Sequence, residues 1–196
     1  VRDDRRVAAC VSSIDVLCPV LLVLNGATEV FERWVRAACP AANVVTTARV
    51  GLGHAYNVGL AACRSEHALL MDSDCLFTPG TIVKLRRGLK SAALSKGRVV
   101  FSHHGPLSRV IAAYRTYHTS DRISAYSPPL ALSRTAVKLL LGYFFDEDLA
   151  WSEDFDFDLR VSQRGLRIAY DPTATVLHPA LTLRQDLRAA FNYGMG

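Results

Sequence analysis

Apolar runs of four to seven residues alternate with stretches of helical period along the first half of the chain, the pattern of strands interleaved with amphipathic helices. Residues 4–13 read as a helix, "PVLLVL" (19–24) as a strand, and Glu29 to Cys39 as a helix with Val30, Phe31, Trp34, Val35 and Ala38 on one face. "NVVTT" (43–47) predicts a second strand, Gly53 to Cys63 a helix, "HALLM" (67–71) a strand, Thr78 to Leu89 a helix with Pro79 in its first turn, and "RVVFSH" (98–103) another strand. Strands that are apolar throughout and joined by helices predict an α/β fold, a mostly parallel sheet with helices on both faces.

The second half is more mixed. "HTSDRISAYSPP" (118–129) is polar and turn-rich and predicts a loop, after which Ser133 is placed to cap a helix ending near Gly142. A helix over Ser152 to Gln163 is stopped by Gly165. Two short strands follow, "LRIAY" and "ATVLH", and "LRQDLRAAFNYG" closes as an amphipathic helix. No repeat or linker divides the 196 residues, which suit one domain.

Composition narrows the class. With 50% hydrophobic and 21% charged residues the chain is globular rather than disordered. Its longest apolar stretches, near Val16 to Leu24 and Leu139 to Phe145, fall short of the roughly 20 residues that span a bilayer. "VRDDRRVAAC" lacks the apolar core of a secretory signal, which places the protein in the cytoplasm. Cys10, Cys18, Cys39, Cys63 and Cys75 form no Cys-x-x-Cys pair and read as buried, reduced thiols. The net charge of +5 is carried mostly by arginines spread along the chain. It suits nucleotide phosphates or an acidic membrane surface; without a basic run interleaved with aromatics, it argues against nucleic acid as a partner. The acids are less even, since seven of 18 fall between Asp146 and Asp158.

Candidate chemistry begins at "HALLMDSDCLF" (67–77), where Asp72 and Asp74 end an apolar strand. Ligands of open α/β sheets bind at the carboxyl ends of strands. With a side-chain period of two, both carboxylates would face one side and offer oxygens to Mg²⁺ or Mn²⁺. The spacing recurs at Asp146/Asp148, Asp154/Asp156 and Asp156/Asp158, so the tripeptide alone fits a solvated turn equally well. On a helix Glu153, Phe157 and Arg160 stack, as do Asp154 and Asp158. Early acids suit a helix N-terminus, and a cation, or Arg160 and Arg164, would relieve the repulsion among the rest. His178 reads either as an ordinary histidine or as a metal ligand. Trp34 reads as core. Trp151 precedes the acids where an acceptor would approach, open between stacking and packing, while Ser127, Arg134 and the 118–129 loop offer either an acceptor pocket or a connection. "LTLRQDLRAAFNYGMG" reads as packing on its own domain or as a peripheral membrane contact.

Asp72-Ser73-Asp74 after an apolar strand, preceded by "GLGHAYNVGLAAC" (51–63) and followed by Glu153-Asp154-Phe155-Asp156, Leu159-Arg160, Gly165-Leu166-Arg167-Ile168 and His178, resembles the family 2 glycosyltransferases over about residues 5–180. Asn25-Gly26-Ala27-Thr28 resembles that family's Asn-Gly-Ser-Thr turn, and Gly51 or Gly53 with Ala55, Asn57 and Gly59 its Gly-x-x-x-Ala-x-Asn-x-Gly helix start. The resemblance implies a GT-A fold, the Rossmann-like fold of nucleotide-diphospho-sugar transferases, with a nucleotide-binding half over about 1–105 and an acceptor and catalytic half over about 106–196. It implies an inverting, metal-dependent transfer of a sugar from a nucleotide-diphosphate donor, a UDP-sugar by family habit, to a hydroxyl of a sugar, lipid-linked or small-molecule acceptor. Asp74, Asp72 and His178 would hold the metal; Asn25, Arg49, Asn57, Asp72 and Asp74 would bind donor. Asp154 would be the catalytic base with Glu153 in support, and Trp151 and Arg134 would meet the acceptor.

The chain departs from that pattern twice. Leu24 stands where the family has an Asp that contacts the base, leaving Asn25 or Arg49 as substitutes. The family's apolar first strand has no counterpart, because the chain opens at the helix that would follow it, and a resulting sheet edge or inner gap would favour a homo-oligomer. Two other readings stand beside the transferase: a non-catalytic scaffold with a degenerate donor site, and a nucleotidyltransferase, whose Gly-rich phosphate loop is not visible.

Overall fold

In the computed structural model, which describes all residues except 2, 122 and 196, a short helix α1 (Val7–Ser12) leads to β1 (Leu21–Asn25). Helix α2 (Glu29–Ala38) then carries the chain to β2 (Asn43–Thr47), which pairs in parallel with β1, Leu22 opposite Val44. Helix α2 starts where Thr28 Oγ1 accepts the Phe31 amide at 3.2 Å, and Glu29 and Glu32 in its first turn favour the same start. Its buried face, Phe31 and Val35, packs on Leu22, Leu24 and Val7.

A second sheet holds β3 (His67–Leu70), β4 (Leu76–Phe77), β5 (Leu94–Phe101), β6 (Leu130–Ser133) and β7 (Ile168–His178) in the order β3-β6-β5-β7-β4. Helices α3 (Leu52–Ala62), α4 (Thr81–Gly88), α5 (Pro106–Thr116), α6 (Arg134–Leu141), α7 (Glu153–Gln163) and α8 (Leu183–Met195) connect or flank these strands. The fold is α/β with helices as expected, but its pairing is mixed. In this sheet only β5 and β7 run parallel. Continuous apolarity reports burial on both faces of a strand and not its direction, so β6 was open to pair antiparallel with both β3 and β5.

Four boundaries move for local reasons. The helix expected from Thr78 begins at Thr81, because Leu76–Phe77 pair with Val176–Leu177 and Gly80 turns the chain at φ +77°, which leaves Pro79 in the turn. The strand expected from Arg98 begins at Leu94, its start masked by the polar but buried Ser95 and Lys96. The two short strands near the end join into β7, with a register shift against β5 between Lys96 and Arg98. The expected loop over 118–129 starts later, since α5 continues through a π-helical stretch, Tyr117–Asp121; Arg122 lies outside the described residues.

The two sheets do not join. A slot of ≈ 1360 Å³ is lined by Leu21–Val23 of β1 on one side and Ala68–Leu70 of β3 on the other. The inner gap expected from the sequence is therefore present. Its lining also includes Asn25, Asp72, Asp74 and His178. Val1 occupies one position of the β1 edge, its amine donating to the Val23 carbonyl at 2.7 Å and its carbonyl accepting from the Asn25 amide at 2.9 Å, the bond pattern of a parallel ladder. The main core lies on the other sheet, where Leu94, Leu132, Val137 and Phe157 are fully buried together.

Candidate active site

Strand β3 ends at Leu70, so Asp72 and Asp74 sit in a turn closed by the Cys75 amide on the Asp72 carbonyl at 3.3 Å. The period-two argument for a paired oxygen site does not apply there, and the two carboxylates diverge. Asp72 Oδ1 accepts the Tyr56 hydroxyl at 3.1 Å, and burial beside Asp74 raises its pKa. Asp74 Oδ2 faces His178 Nε2 at 3.6 Å and the Arg6 guanidinium at 3.4 Å. Ligand atoms of Asp74, Cys75 and His178 lie within 4.8 Å of one another, a group without Asp72.

His178 is prepared for a cation. Its Nδ1–H donates to the Pro179 carbonyl at 2.7 Å and its ring packs on Phe101, which leaves the Nε2 lone pair directed at Asp74. Arg6 already stands as a cation beside the same carboxylate. Asp74 and His178 are the residues that could hold a divalent ion, which would compete with the Arg6 guanidinium for Asp74.

The acidic stretch resolves into pairs. Asp156 meets Arg160 at 2.8 Å, one helical turn on. Glu147 accepts from Arg49, Asn57 and His54, and Asp148 from Arg49; Asp158 accepts the Ala125 amide at 2.5 Å. Arg164, expected to share in this, makes no ion pair with these acids among the described residues. Among the described residues the carboxylates with a buried, unpartnered oxygen are Glu153 (Oε2) and Asp154 (Oδ1). Both open α7 without a side-chain cap from Ser152. Burial, then the charges of Glu153 and Asp72, push the Asp154 pKa up to about 7. Burial raises Glu153 as well. Helix α3 presses against them at Gly53, where a Cβ would meet the Asp146 carbonyl at 2.8 Å and the Glu153 Cβ at 3.2 Å.

Other expected site residues do structural work. Asn57 donates to the Phe145 carbonyl and to Glu147 and accepts the Phe145 amide, so its amide group pins the 145–147 segment to α3 rather than standing free for a donor. Arg49 is likewise engaged, by Glu147 and Asp148 on an exposed face. Asn25 is different: its Nδ2 holds the Gly51 carbonyl at 2.8 Å, while its Oδ1 is buried without a partner in the slot's lining. Arg134 is not part of the site. It follows the residue paired with His67, at the opposite end of β3 from Asp72, and donates to the Ser65 carbonyl. Trp151 stands just before the acids, half exposed and at φ +69°, edge-on to Tyr193 with centroids 6.2 Å apart.

Sequence reasoning missed Tyr56, Arg6 and Lys96. Tyr56 falls on the face of α3 that carries the apolar pattern and so reads as core. Lys96 is fully buried in β5, its Nζ donating to the Tyr126 carbonyl at 2.6 Å and to the Ser127 carbonyl. Nothing in "LSKGRVV" announces a buried lysine.

Comparison with known proteins fits this arrangement. The sequence pattern described as Glycosyl transferase family 2 matches residues 6–117. An uncharacterized glycosyltransferase of Bacillus subtilis, YwdF, is 31% identical over 136 residues, covering 64% of this chain and 50% of that protein. The pre-mycofactocin glycosyltransferase of Mycobacterium tuberculosis is 30% identical over 160 residues, 74% of this chain and 33% of that protein. The chain thus spans between a third and a half of the length of these curated relatives. Among solved structures, glucosyl-3-phosphoglycerate synthase from M. tuberculosis in complex with Mn²⁺, UDP and glucosyl-3-phosphoglycerate superposes with a TM-score of 0.69 at 19% identity, over 98% of this chain and 74% of that one. S. aureus TarS 1-349 gives 0.68 at 16% identity, over 89% and 57%. The fold is that of the GT-A glycosyltransferases.

Proposed function

The chain belongs to glycosyl transferase family 2, and from that premise we propose that it moves a sugar from a nucleotide-diphosphate donor, a UDP-sugar, to an acceptor hydroxyl with inversion. The observation that carries this reading is the pair Glu153 and Asp154, whose buried oxygens are left unpartnered while the neighbouring acids are matched. A buried carboxylate oxygen without a partner costs stability, and that cost supports a group kept for proton transfer.

Asp154 takes the proton as the acceptor oxygen bonds to the anomeric carbon and the bond from that carbon to the diphosphate breaks on the opposite face. Glu153 raises its basicity, being among the charges that push its pKa up to about 7, near the range where a general base works best at neutral pH. Tyr56 fixes Asp72 toward the donor side. Asn25 Oδ1 offers an acceptor to the nucleotide in place of the family's Asp. Asp74 and His178 would hold Mn²⁺ or Mg²⁺, which supplies neutralisation of charge on the leaving diphosphate; the glucosyl-3-phosphoglycerate synthase complex, which holds Mn²⁺ and UDP, supports this choice. Trp151 faces the acceptor, a sugar, lipid-linked or small-molecule alcohol.

Calorimetric titration with UDP, GDP and dTDP, each with Mn²⁺ and with EDTA, tests the reading. Metal-dependent binding of UDP supports it; metal-dependent binding of another nucleotide replaces the donor. Absence of binding by all three nucleotides would select the second reading, a scaffold that binds no donor. No helix among the described residues is long and apolar enough to cross a membrane.

A further inference from the structure

Burying an ammonium group costs several kcal/mol unless its protons are matched, yet Lys96 has no exposed surface at all. Its partners are two successive backbone carbonyls, Tyr126 and Ser127, on the segment that precedes β6. The same segment is held from a second direction, because the Ala125 amide donates to Asp158 Oδ1 at 2.5 Å. The Lys96 amine from β5 and the Asp158 carboxylate from α7 thus hold three consecutive residues, the last of them in the left-handed region at φ +64°.

Asp158 lies four residues after Asp154, so both carboxylates project from one face of α7 a single turn apart. The helix therefore fixes the distance from the unpartnered carboxylate to the stapled segment. Tyr126 lies in the middle of that segment, and burial, then the Asp154 charge, raises its hydroxyl pKa; burial, then Tyr126 and Asp154, raises that of Tyr193. The rings of Tyr126 and Tyr193 lie 6.4 Å apart, and Tyr193 meets Trp151 edge-on. Tyr126, Tyr193 and Trp151 thus form a chain of ring contacts on the side of Asp154 that Tyr126 and Tyr193 occupy.

We infer that Lys96 and Asp158 are a matched pair of positioning residues, which hold the Ala125–Ser127 segment and its Tyr126 ring as a fixed acceptor-side wall next to Asp154. The inference rests on the transferase reading above and adds the side of the site it concerns: the staple governs acceptor placement and not donor affinity. A hydroxyl must be presented to a base within about an ångström of its productive position, and a misplacement of that size costs on the order of 100-fold in rate. The chain of aromatic rings suits an acceptor with an apolar ring face, such as a pyranoside.

The test uses the 196-residue chain and the variants Lys96→Met, Asp158→Ala and Asp158→Asn. Amide exchange is read across residues 123–127, UDP–Mn²⁺ affinity by calorimetry, and UDP-glucose turnover with methyl glucosides as acceptor probes. Lys96→Met and Asp158→Ala should each speed exchange at Ala125–Ser127 about tenfold or more, the size of losing one or two buried hydrogen bonds. Asp158→Asn, which keeps the accepting oxygen, should restore wild-type exchange. UDP–Mn²⁺ affinity should stay within about twofold throughout, and any transfer to the glucosides should fall in kcat with the donor KM unchanged. Unchanged exchange in Lys96→Met would overturn the inference, as would an asparagine variant that behaves like alanine, or folded variants that lose UDP binding with their loop intact. If the wild-type chain binds no nucleotide, the transferase reading fails, while the exchange comparison still decides whether the two residues hold the wall.

Discussion

The amino-terminal and carboxyl-terminal halves of the molecule treat their polar side chains in opposite ways. Around β1, β2 and α3 the candidate donor groups are mostly spent on structure: Asn57 pins the 145–147 segment, Arg49 is taken by Glu147 and Asp148, and Asn25 gives its amide to Gly51. At the start of α7, within the better-packed half, two carboxylates keep oxygens that nothing satisfies. The sheets differ in the same sense. Two strands and a slot stand on one side, and five paired strands over a continuous core on the other. The exception in the amino-terminal half is Asn25 Oδ1, which is also buried without a partner.

The strongest way to break this contrast is at Asp154. Asp154→Asn should lower transfer by about 10²–10⁴-fold, the range of a lost general base, while UDP–Mn²⁺ affinity measured by calorimetry stays near wild type. In the unaltered chain kcat/KM should rise with pH to a midpoint near 7, because the base acts deprotonated and its pKa is pushed up to about 7.

The same substitution should stabilise the fold. The folded pKa of Asp154 lies above its unfolded value of 3.8, so the native state holds the extra proton between those values, and the stability this gives is fully present below 3.8 and lost as pH rises through about 7. At pH 8 Asp154→Asn should therefore gain about 2 kcal/mol in urea unfolding, roughly half of what the full shift would correspond to. No gain, or a loss, would mean that the carboxylate is satisfied in solution and the contrast is false.

Smaller effects sharpen the other half. Asp74→Ala should weaken UDP binding in Mn²⁺ by about tenfold or more, near 1.4 kcal/mol, and leave binding in EDTA unchanged. Asn57→Ala removes the bonds that tie α3 to the 145–147 segment and should cost about 1–2 kcal/mol of stability, with UDP affinity retained; loss of affinity without loss of stability would return Asn57 to the donor site. Arg134→Ala should change stability by no more than about 0.5 kcal/mol and kcat not at all, because its guanidinium serves an exposed carbonyl at the far end of β3.

Much of the frame was written in local pattern. The apolar runs at Leu21–Leu24, Val44–Val45 and Ala68–Leu70 and the three-to-four period over Glu29–Ala38 place strands and helix within a residue or two of where they lie, because burial on both faces of a strand and one face of a helix leaves a period that needs no partner to be read. The candidate site residues Asp72, Asp74, Glu153, Asp154 and His178 were nameable in the sequence only through the resemblance to a family, since the Asp-x-Asp spacing alone recurs along the chain. Direction and partnership were not. The mixed sheet, the turn that separates Asp72 from Asp74, the capture of Asn57 and Arg49, and the burial of Lys96 beneath Tyr126 all depend on residues far apart in the chain. Which two acids among seven keep an unpartnered oxygen depends on what folds against them, and no spacing along the chain records a pairing made across the fold.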